Sequence, residues 1–233
     1  MAAACFTQDL SPAPALISLV LVAVGLCAVW LEIGRKLRAI HVFFNPFTSW
    51  MTRESFAATL LFAFGAIELF LPSRIILAGA APSALGFVYC QARILRASKG
   101  IPAWRAPQVV TLIVTTGLAE GTGLLMILNP DLLAISLFTA VVIARGFAWS
   151  GYRAALQQPA SRAALEAAGR MLVQLGTIVP LALVFGWIFL PQAAVLAGIA
   201  AILTGWRLKY ALVTRAAFNQ GFALPQLPVR GVR

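Results

Sequence analysis

Seven apolar stretches, each close to the length that crosses a lipid bilayer, dominate the chain. A membrane-spanning helix needs about 20 mostly apolar residues. The stretches fall at about 14–33, 55–72, 74–92, 107–128, 131–149, 171–190 and 192–210. Little sequence is left over for a soluble domain. The pattern therefore predicts an all-α, polytopic transmembrane bundle of seven helices, which forms a single domain over residues 1–233 and has the lipid bilayer as its surroundings.

The composition excludes several other classes of protein. Charged residues make up 11% of the chain and hydrophobic residues 61%, whereas soluble domains carry about 25% charged residues. A disordered chain, a disulfide-stabilised secreted module and an ordinary soluble enzyme are thereby excluded. The net charge of +11 is also found in nucleic-acid-binding proteins, but in so apolar a chain basic residues are better explained as flanks of membrane spans. We expect no nucleic-acid partner.

The basic residues are divided very unequally between the two sides of the predicted membrane. If successive stretches cross the membrane in turn, all 18 lysines and arginines except Arg74 fall on one and the same side of it. Because cytoplasmic loops are rich in Lys and Arg, we expect an external N-terminus, a cytoplasmic C-terminus and a place in the bacterial cytoplasmic (inner) membrane. The first stretch has no basic residue before it, so we expect it to be retained rather than cleaved as a signal peptide. In 156–170, the spacing of Arg162, Glu166 and Arg170 predicts a polar continuation of the sixth helix.

The sequence lacks the ligands of common redox centres. His41 is the only histidine, and a membrane haem commonly takes two axial histidines. The three cysteines, Cys5, Cys27 and Cys90, form no closely spaced pair. We therefore predict no haem, no iron–sulfur cluster and no metal site within the chain itself.

The densest group of polar residues flanks the predicted loop between the first two spans, in residues 31–54. Glu32 and Arg35 are three positions apart, which predicts that they share one helix face. His41 and Asn45 follow in the loop, and Trp50, Arg53 and Glu54 come directly before the second span. One explanation is an ordinary basic loop in which Glu–Arg pairs neutralise charge. The mixture of acid, imidazole, amide and indole favours a second: a site for a ligand with polar ends and an apolar body, whose redox chemistry requires proton transfer.

A further acid, Glu120, lies inside the fourth stretch, within a GxxxG pattern formed by Gly117 and Gly121. Such a pattern lets another helix approach closely. Glu120 is either a neutral carboxyl that is hydrogen-bonded across this contact or a proton relay, since burial favours the neutral form of an acid.

Several segments resemble one family of membrane proteins. IGRKLRAI (33–40) followed by NPFTSWMTRE (45–54) is similar to a signature of the dimethyl sulfoxide reductase anchor family, with its relatives in the polysulfide reductase and nitrite reductase group. These are membrane-anchor subunits of molybdopterin oxidoreductases. Weaker similarity continues from Ala81 to Tyr89 and returns at GWRLKYALVTRAAFNQGFALPQLPVRG (205–231).

The resemblance implies a haem-free subunit that anchors an iron–sulfur protein and a molybdopterin catalytic subunit, and that exchanges electrons with an exchangeable quinone. The family's acidic quinol-site residue falls on Glu54. The family's histidine falls on Glu32, so this sequence departs from the pattern there. By this resemblance Glu54 and Glu32 are the catalytic candidates. The quinone-binding candidates are Arg35, His41, Asn45, Trp50, Arg53 and Tyr89.

Orientation and subgroup are further implications. The family's quinone loop faces the iron–sulfur partner, which implies catalytic subunits on the cytoplasmic side. The subgroup is similar to phenylacetyl-CoA:acceptor oxidoreductases or sulfite-oxidising complexes. The family commonly has eight spans, whereas this sequence predicts seven. Two alternatives are a small transporter or channel, favoured by Glu120, and a purely structural anchor without a quinone site, favoured by the departure at Glu32.

Overall fold

A computed structural model describes residues 13–188 and 190–217. Most of these residues are helical, and none of them forms a β-strand. The helices are α1 (Ala13–Glu32), α2 (Trp50–Phe70), α3 (Arg74–Ala97), α4 (Pro102–Arg105), α5 (Gln108–Leu128), α6 (Leu132–Ala155), α7 (Pro159–Val173), α8 (Val179–Gly186) and α9 (Gln192–Val213). A 3₁₀ helix at Lys36–Phe44 lies between α1 and α2, and a π-helical turn at Gln174–Ile178 joins α7 to α8. Arg230, Arg233 and the end of the C-terminal motif lie outside the described residues.

Six helices among the described residues are long and apolar enough to cross a membrane. They are α1, α3, α5, α6, the continuous α7–α8 rod over Pro159–Gly186, and α9. The remaining predicted stretch, about 55–72, coincides with α2, which has 21 residues and is about 31 Å long at 1.5 Å per residue. Polar residues at both ends of α2, Arg53 and Glu54 at one and Glu68 at the other, shorten its apolar centre. The chain is thus an all-α bundle with six candidate membrane-spanning helices.

Polar side chains start the helices at the short turns between them. Ser73 accepts a hydrogen bond from the Ile75 N–H at 3.3 Å and so caps α3, and Asp131 caps α6 by accepting from the Ala134 N–H at 2.6 Å. Such caps satisfy amide groups that the first helical turn leaves unpaired. The buried Glu68 carboxylate accepts from the Ser73 N–H at 3.2 Å. This hydrogen bond stabilises the turn between α2 and α3 from its buried side.

One end of the bundle collects most of the positive charge, and we call it the basic end. Here α1, α3, α6 and α9 end, and α2, α5 and α7 begin. The short helix α4 ties this end together, because the Trp104 indole N–H donates to the Leu212 carbonyl at 3.0 Å and the Tyr152 hydroxyl donates to the Ala103 carbonyl at 2.8 Å.

Two helices at the edges of this bundle differ in how firmly they are held. The predicted polar helix over 156–170 is confirmed as α7, and its Glu166 pairs with Arg153 of α6 at 3.2 Å. By contrast, α1 contacts α2 and the 3₁₀ helix but buries only Ala15 and Leu19. Most of the surface of α1 therefore faces outward.

Candidate functional site

Trp50 is the centre of an aromatic and cationic cluster at the basic end. The guanidinium carbons of Arg53 and Arg93 lie 4.3 Å and 4.2 Å from the centre of its ring. Tyr89 meets the same ring edge-on, with the ring centroids 5.9 Å apart, and its hydroxyl accepts a hydrogen bond from Arg93 at 2.8 Å. A cation over an indole face is attracted by the ring quadrupole. Three predicted site residues, Trp50, Arg53 and Tyr89, are thus brought together.

Local hydrogen bonds hold this cluster in place. Ser49 caps α2 by accepting from the Thr52 N–H at 3.4 Å, which starts the helix at Trp50. Arg53 donates from Nε to the Pro46 carbonyl at 2.9 Å and from Nη2 to the Phe47 carbonyl at 2.7 Å. Through these two hydrogen bonds Arg53 attaches the loop before α2 to the helix itself.

Glu54, the predicted catalytic acid, is half-buried between α2 and α3. The side chain of Gln91 lies beside its carboxylate and favours the charged form. Glu54 is four residues from the start of α2 and Gln91 is six from the end of α3, so both lie within about 10 Å of the basic end at 1.5 Å per residue. Gln91 was not among the predicted site residues, since a single glutamine in an apolar stretch is not distinctive.

A cavity of about 490 Å³ opens beside Gln91, between α1, α2, α3, α5 and α9. Leu19, Leu61, Leu85, Phe87 and Ile113 contribute to its apolar walls. Its polar lining side chains are Ser18, Gln91, Glu120, Thr122 and Lys209. An apolar cavity of a few hundred Å³ with a few polar groups is the usual form of a small-molecule site.

Glu120 lies on this cavity and forms an ion pair across it. Lys209 of α9 donates to Glu120 Oε2 at 2.5 Å, and the side chains of Lys209 and Glu120 are 36% and 18% exposed. The second carboxylate oxygen, Oε1, is buried and has no hydrogen-bond partner among the described residues. A Cβ on Gly205 would come within 2.5 Å of that oxygen. The absence of a side chain at Gly205 therefore makes room for the carboxylate.

A second cation, Arg145, is completely buried behind this pair and interacts with Glu120 electrostatically. Its guanidinium donates from Nη1 to the Ala201 carbonyl at 3.1 Å and from Nη2 to the Gly176 carbonyl. In an α-helix the Gly176 carbonyl would accept from residue 180, but that residue is Pro180, which has no N–H. Arg145 supplies the missing donor to the π-helical turn.

Arg145 and Lys209 were counted among the basic residues of the cytoplasmic side. Both lie within helices rather than in loops: Arg145 is fully buried in α6, and Lys209 of α9 lines the cavity. Both positions fall inside predicted apolar stretches, where a charged residue is costly and indicates a partner or a function. The signal was present in the sequence but was outweighed by the count of basic residues on one side.

Four predicted site residues lie apart from this arrangement. Glu32, Arg35, His41 and Asn45 are exposed, and none of them lines the cavity. The predicted shared helix face of Glu32 and Arg35 is wrong, because α1 ends at Glu32 and the backbone of Arg35 is not helical, with φ −123° and ψ 81°. His41 has its Nδ1 3.3 Å from the Arg38 carbonyl, and Asn45 ends the 3₁₀ helix.

The close helix contact predicted at the GxxxG pattern occurs at one of its two glycines, since a Cβ on Gly117 would come within 3.1 Å of Val88 on α3. A Cβ on Gly121 would meet nothing within 4 Å, and Gly121 lines the cavity instead. The tight approach of α5 to α9 occurs at Gly123 and Gly198, where a Cβ on Gly198 would come within 2.3 Å of the Gly123 carbonyl oxygen.

Comparison with known proteins identifies no family: no family model and no curated protein matches the chain.

Proposed function

We propose that the chain is a haem-free membrane subunit that anchors an iron–sulfur/molybdopterin oxidoreductase and transfers electrons between its iron–sulfur subunit and the membrane quinone. The observation that carries this proposal is Gln91, which lines the cavity and lies beside Glu54. Through Gln91, an acid predicted to handle protons adjoins an apolar cavity of the size that holds a small molecule. The sequence resemblance supplies the partners, and iron–sulfur clusters and molybdopterin belong to those partner subunits.

In this proposal the chain spans the inner membrane seven times, with α2 as the seventh span. The basic end faces the cytoplasm, which puts the catalytic partners there. Exposed cations near this end, such as Arg35, Arg38 and Arg153, agree with the excess of Lys and Arg in cytoplasmic loops. They also offer a charged surface for a partner protein, since complementary charge steers association.

The residues divide the work of the proposed quinone site. Reduction of a quinone takes up protons together with electrons, so the site needs a titratable group close to the headgroup. Glu54 does not itself line the cavity, but it is half-buried and lies beside Gln91, which does. On the same two helices Trp50 meets Tyr89 edge-on, and Arg53 and Arg93 lie over the Trp50 ring. Glu32 and His41, two other predicted site residues, are exposed and do not line this cavity.

Substitution of Glu54 tests the proposal in the purified complex. The Glu54→Gln variant keeps the size and the hydrogen-bonding capacity of the side chain but cannot carry a proton at neutral pH. We expect quinone-coupled turnover to fall at least a hundredfold, whereas turnover with a soluble dye, which bypasses the membrane subunit, stays unchanged. Glu166→Gln, which neutralises an exposed acid at the same end, is the matched control and leaves both rates unchanged. An unaltered quinone rate in Glu54→Gln, or a chain that purifies without any iron–sulfur protein, would contradict the proposal.

A membrane transporter or channel is the second candidate function. The buried charges of Glu120, Arg145 and Lys209 favour it, because ionisable groups inside membrane bundles commonly mark transport pathways. The two functions separate cleanly in one experiment. A transporter purifies alone and moves its solute in sealed vesicles, whereas a quinone-reactive anchor purifies with an iron–sulfur partner.

A further inference from the structure

We infer that Lys209 binds an oxygen of the quinone headgroup and that Glu120 holds it in position, which makes this ion pair a second polar contact in the cavity besides Gln91. The inference rests on the proposed function and concerns the same cavity. No part of the family resemblance assigned a role to Lys209.

The donor count of Lys209 is the first support. An ammonium group has three N–H donors and no acceptor. Among the described residues Lys209 Nζ makes one hydrogen bond, to Glu120 Oε2. Two donors are therefore left for a bound molecule, and Lys209 lines the cavity into which they can be directed.

The charge balance of the surrounding groups is the second support. The single carboxylate of Glu120 faces two cations, Lys209 in direct contact and Arg145 behind it. Arg145 is held by the carbonyls of Gly176 and Ala201, so its position near Glu120 does not depend on what occupies the cavity. The group as a whole carries one uncompensated positive charge. Such a charge in an apolar cavity attracts an electron-rich oxygen, whether the oxygen of a carbonyl or of its reduced, anionic form.

The arrangement of polar and apolar lining is the third support. Lys209 is four residues from the end of α9, and Gln91 is six from the end of α3, so both lie toward the basic end at 1.5 Å per residue. Leu21 and Val22, which come from the half of α1 that starts at the opposite end, line the apolar part. A quinone has this same division, with oxygens on a ring and an apolar tail. The headgroup would lie between Gln91 and Lys209, with the tail directed toward α1.

Titration of the full-length chain in detergent with heptyl-hydroxyquinoline N-oxide, a quinol analogue whose fluorescence is quenched on binding, tests this inference. We expect Lys209→Met to weaken binding by about tenfold to a hundredfold, the range for loss of one hydrogen bond from a charged donor. Arg207→Met removes an exposed cation two residues away on the same helix and serves as the matched control, with binding unchanged.

Lys209→Met also leaves Glu120 without its partner, so folding must be tested separately. The double variant Glu120→Gln/Lys209→Met removes both charges together, and its helix content by circular dichroism shows whether the bundle is intact. We expect this folded double variant to bind as weakly as the single variant. Wild-type affinity in the folded double variant would overturn the role of Lys209 while leaving the proposed function standing. Failure of the wild-type chain to bind the analogue at all would overturn the proposed function and the inference with it.

Discussion

Arg145 and Pro180 are expected to be energetically coupled through the Gly176 carbonyl. In the Arg145→Met variant this carbonyl loses the guanidinium donor, and Pro180 offers no N–H in its place. The Ala201 carbonyl keeps a hydrogen bond in this variant, because it also accepts from the Thr204 hydroxyl at 3.3 Å. An unsatisfied buried carbonyl costs about 1–3 kcal/mol. Arg145→Met also relieves the desolvation of a buried charge and removes its attraction to Glu120, two effects of opposite sign, so the sign of its total effect does not isolate the carbonyl.

A double-mutant cycle does isolate it. In the Pro180→Ala background, residue 180 regains an N–H that can pair with the Gly176 carbonyl, whereas the charge term of Arg145→Met is the same in both backgrounds. We therefore expect Arg145→Met to be less destabilising by about 1–3 kcal/mol when Pro180 is already alanine. The measurement is equilibrium unfolding of each variant in mixed micelles by dodecyl sulfate, followed by circular dichroism. Arg153→Met, an exposed arginine on the same helix, should be additive with Pro180→Ala. Additivity of Arg145→Met to within about 0.5 kcal/mol would refute the role of the carbonyl.

Two further predictions concern packing and surface charge. Gly198→Ala would bring a methyl group against the Gly123 carbonyl oxygen and is expected to destabilise the bundle by about 1–3 kcal/mol in the same unfolding assay. Gly121→Ala has open space around it and should change stability by less than about 0.5 kcal/mol. Equal losses of stability in the two variants would contradict this account of the α5–α9 contact. The exposed Arg153–Glu166 pair is expected to contribute less than about 1 kcal/mol, so Glu166→Ala should leave the unfolding midpoint nearly unchanged, and a large shift would show that the pair does more than lie at the surface.

The helices were largely predictable because the length of an apolar stretch in the sequence directly indicates the length of the helix. The predicted fourth span, about 107–128, and α5, Gln108–Leu128, agree at nearly every residue. The 3₁₀ helix at Lys36–Phe44 was not predicted, because its nine residues are too few to form a membrane-length apolar stretch. The end of α1 at Glu32 agrees with the predicted end of the first stretch at about residue 33, but the helical spacing inferred from Glu32 to Arg35 continues past it. A spacing of three or four residues between an acid and a base also occurs outside helices, so the spacing alone does not show that a helix continues.

The site was predictable where its residues are adjacent in sequence and not where they meet across helices. Trp50, Arg53 and Glu54 share the first turn of α2, so their grouping follows from the sequence alone. The pairing of Glu120 with Lys209 joins residues on α5 and α9, and nothing in a single sequence reports which helices become neighbours. An isolated charge inside an apolar stretch indicates that a partner exists without identifying it.

The weak attachment of α1 makes the cavity depend on the lipid around it. Leu19, Leu21 and Val22 form one of its walls, yet α1 buries little surface in the bundle. Acyl chains are as apolar as the groups that α1 covers, so exchanging helix contacts for lipid contacts on that side changes the free energy little. On that side the cavity can therefore be bounded either by α1 or by acyl chains, at a similar free energy. Its volume should vary with bilayer thickness and acyl packing, and a short-chain detergent and a native lipid need not enclose the same space.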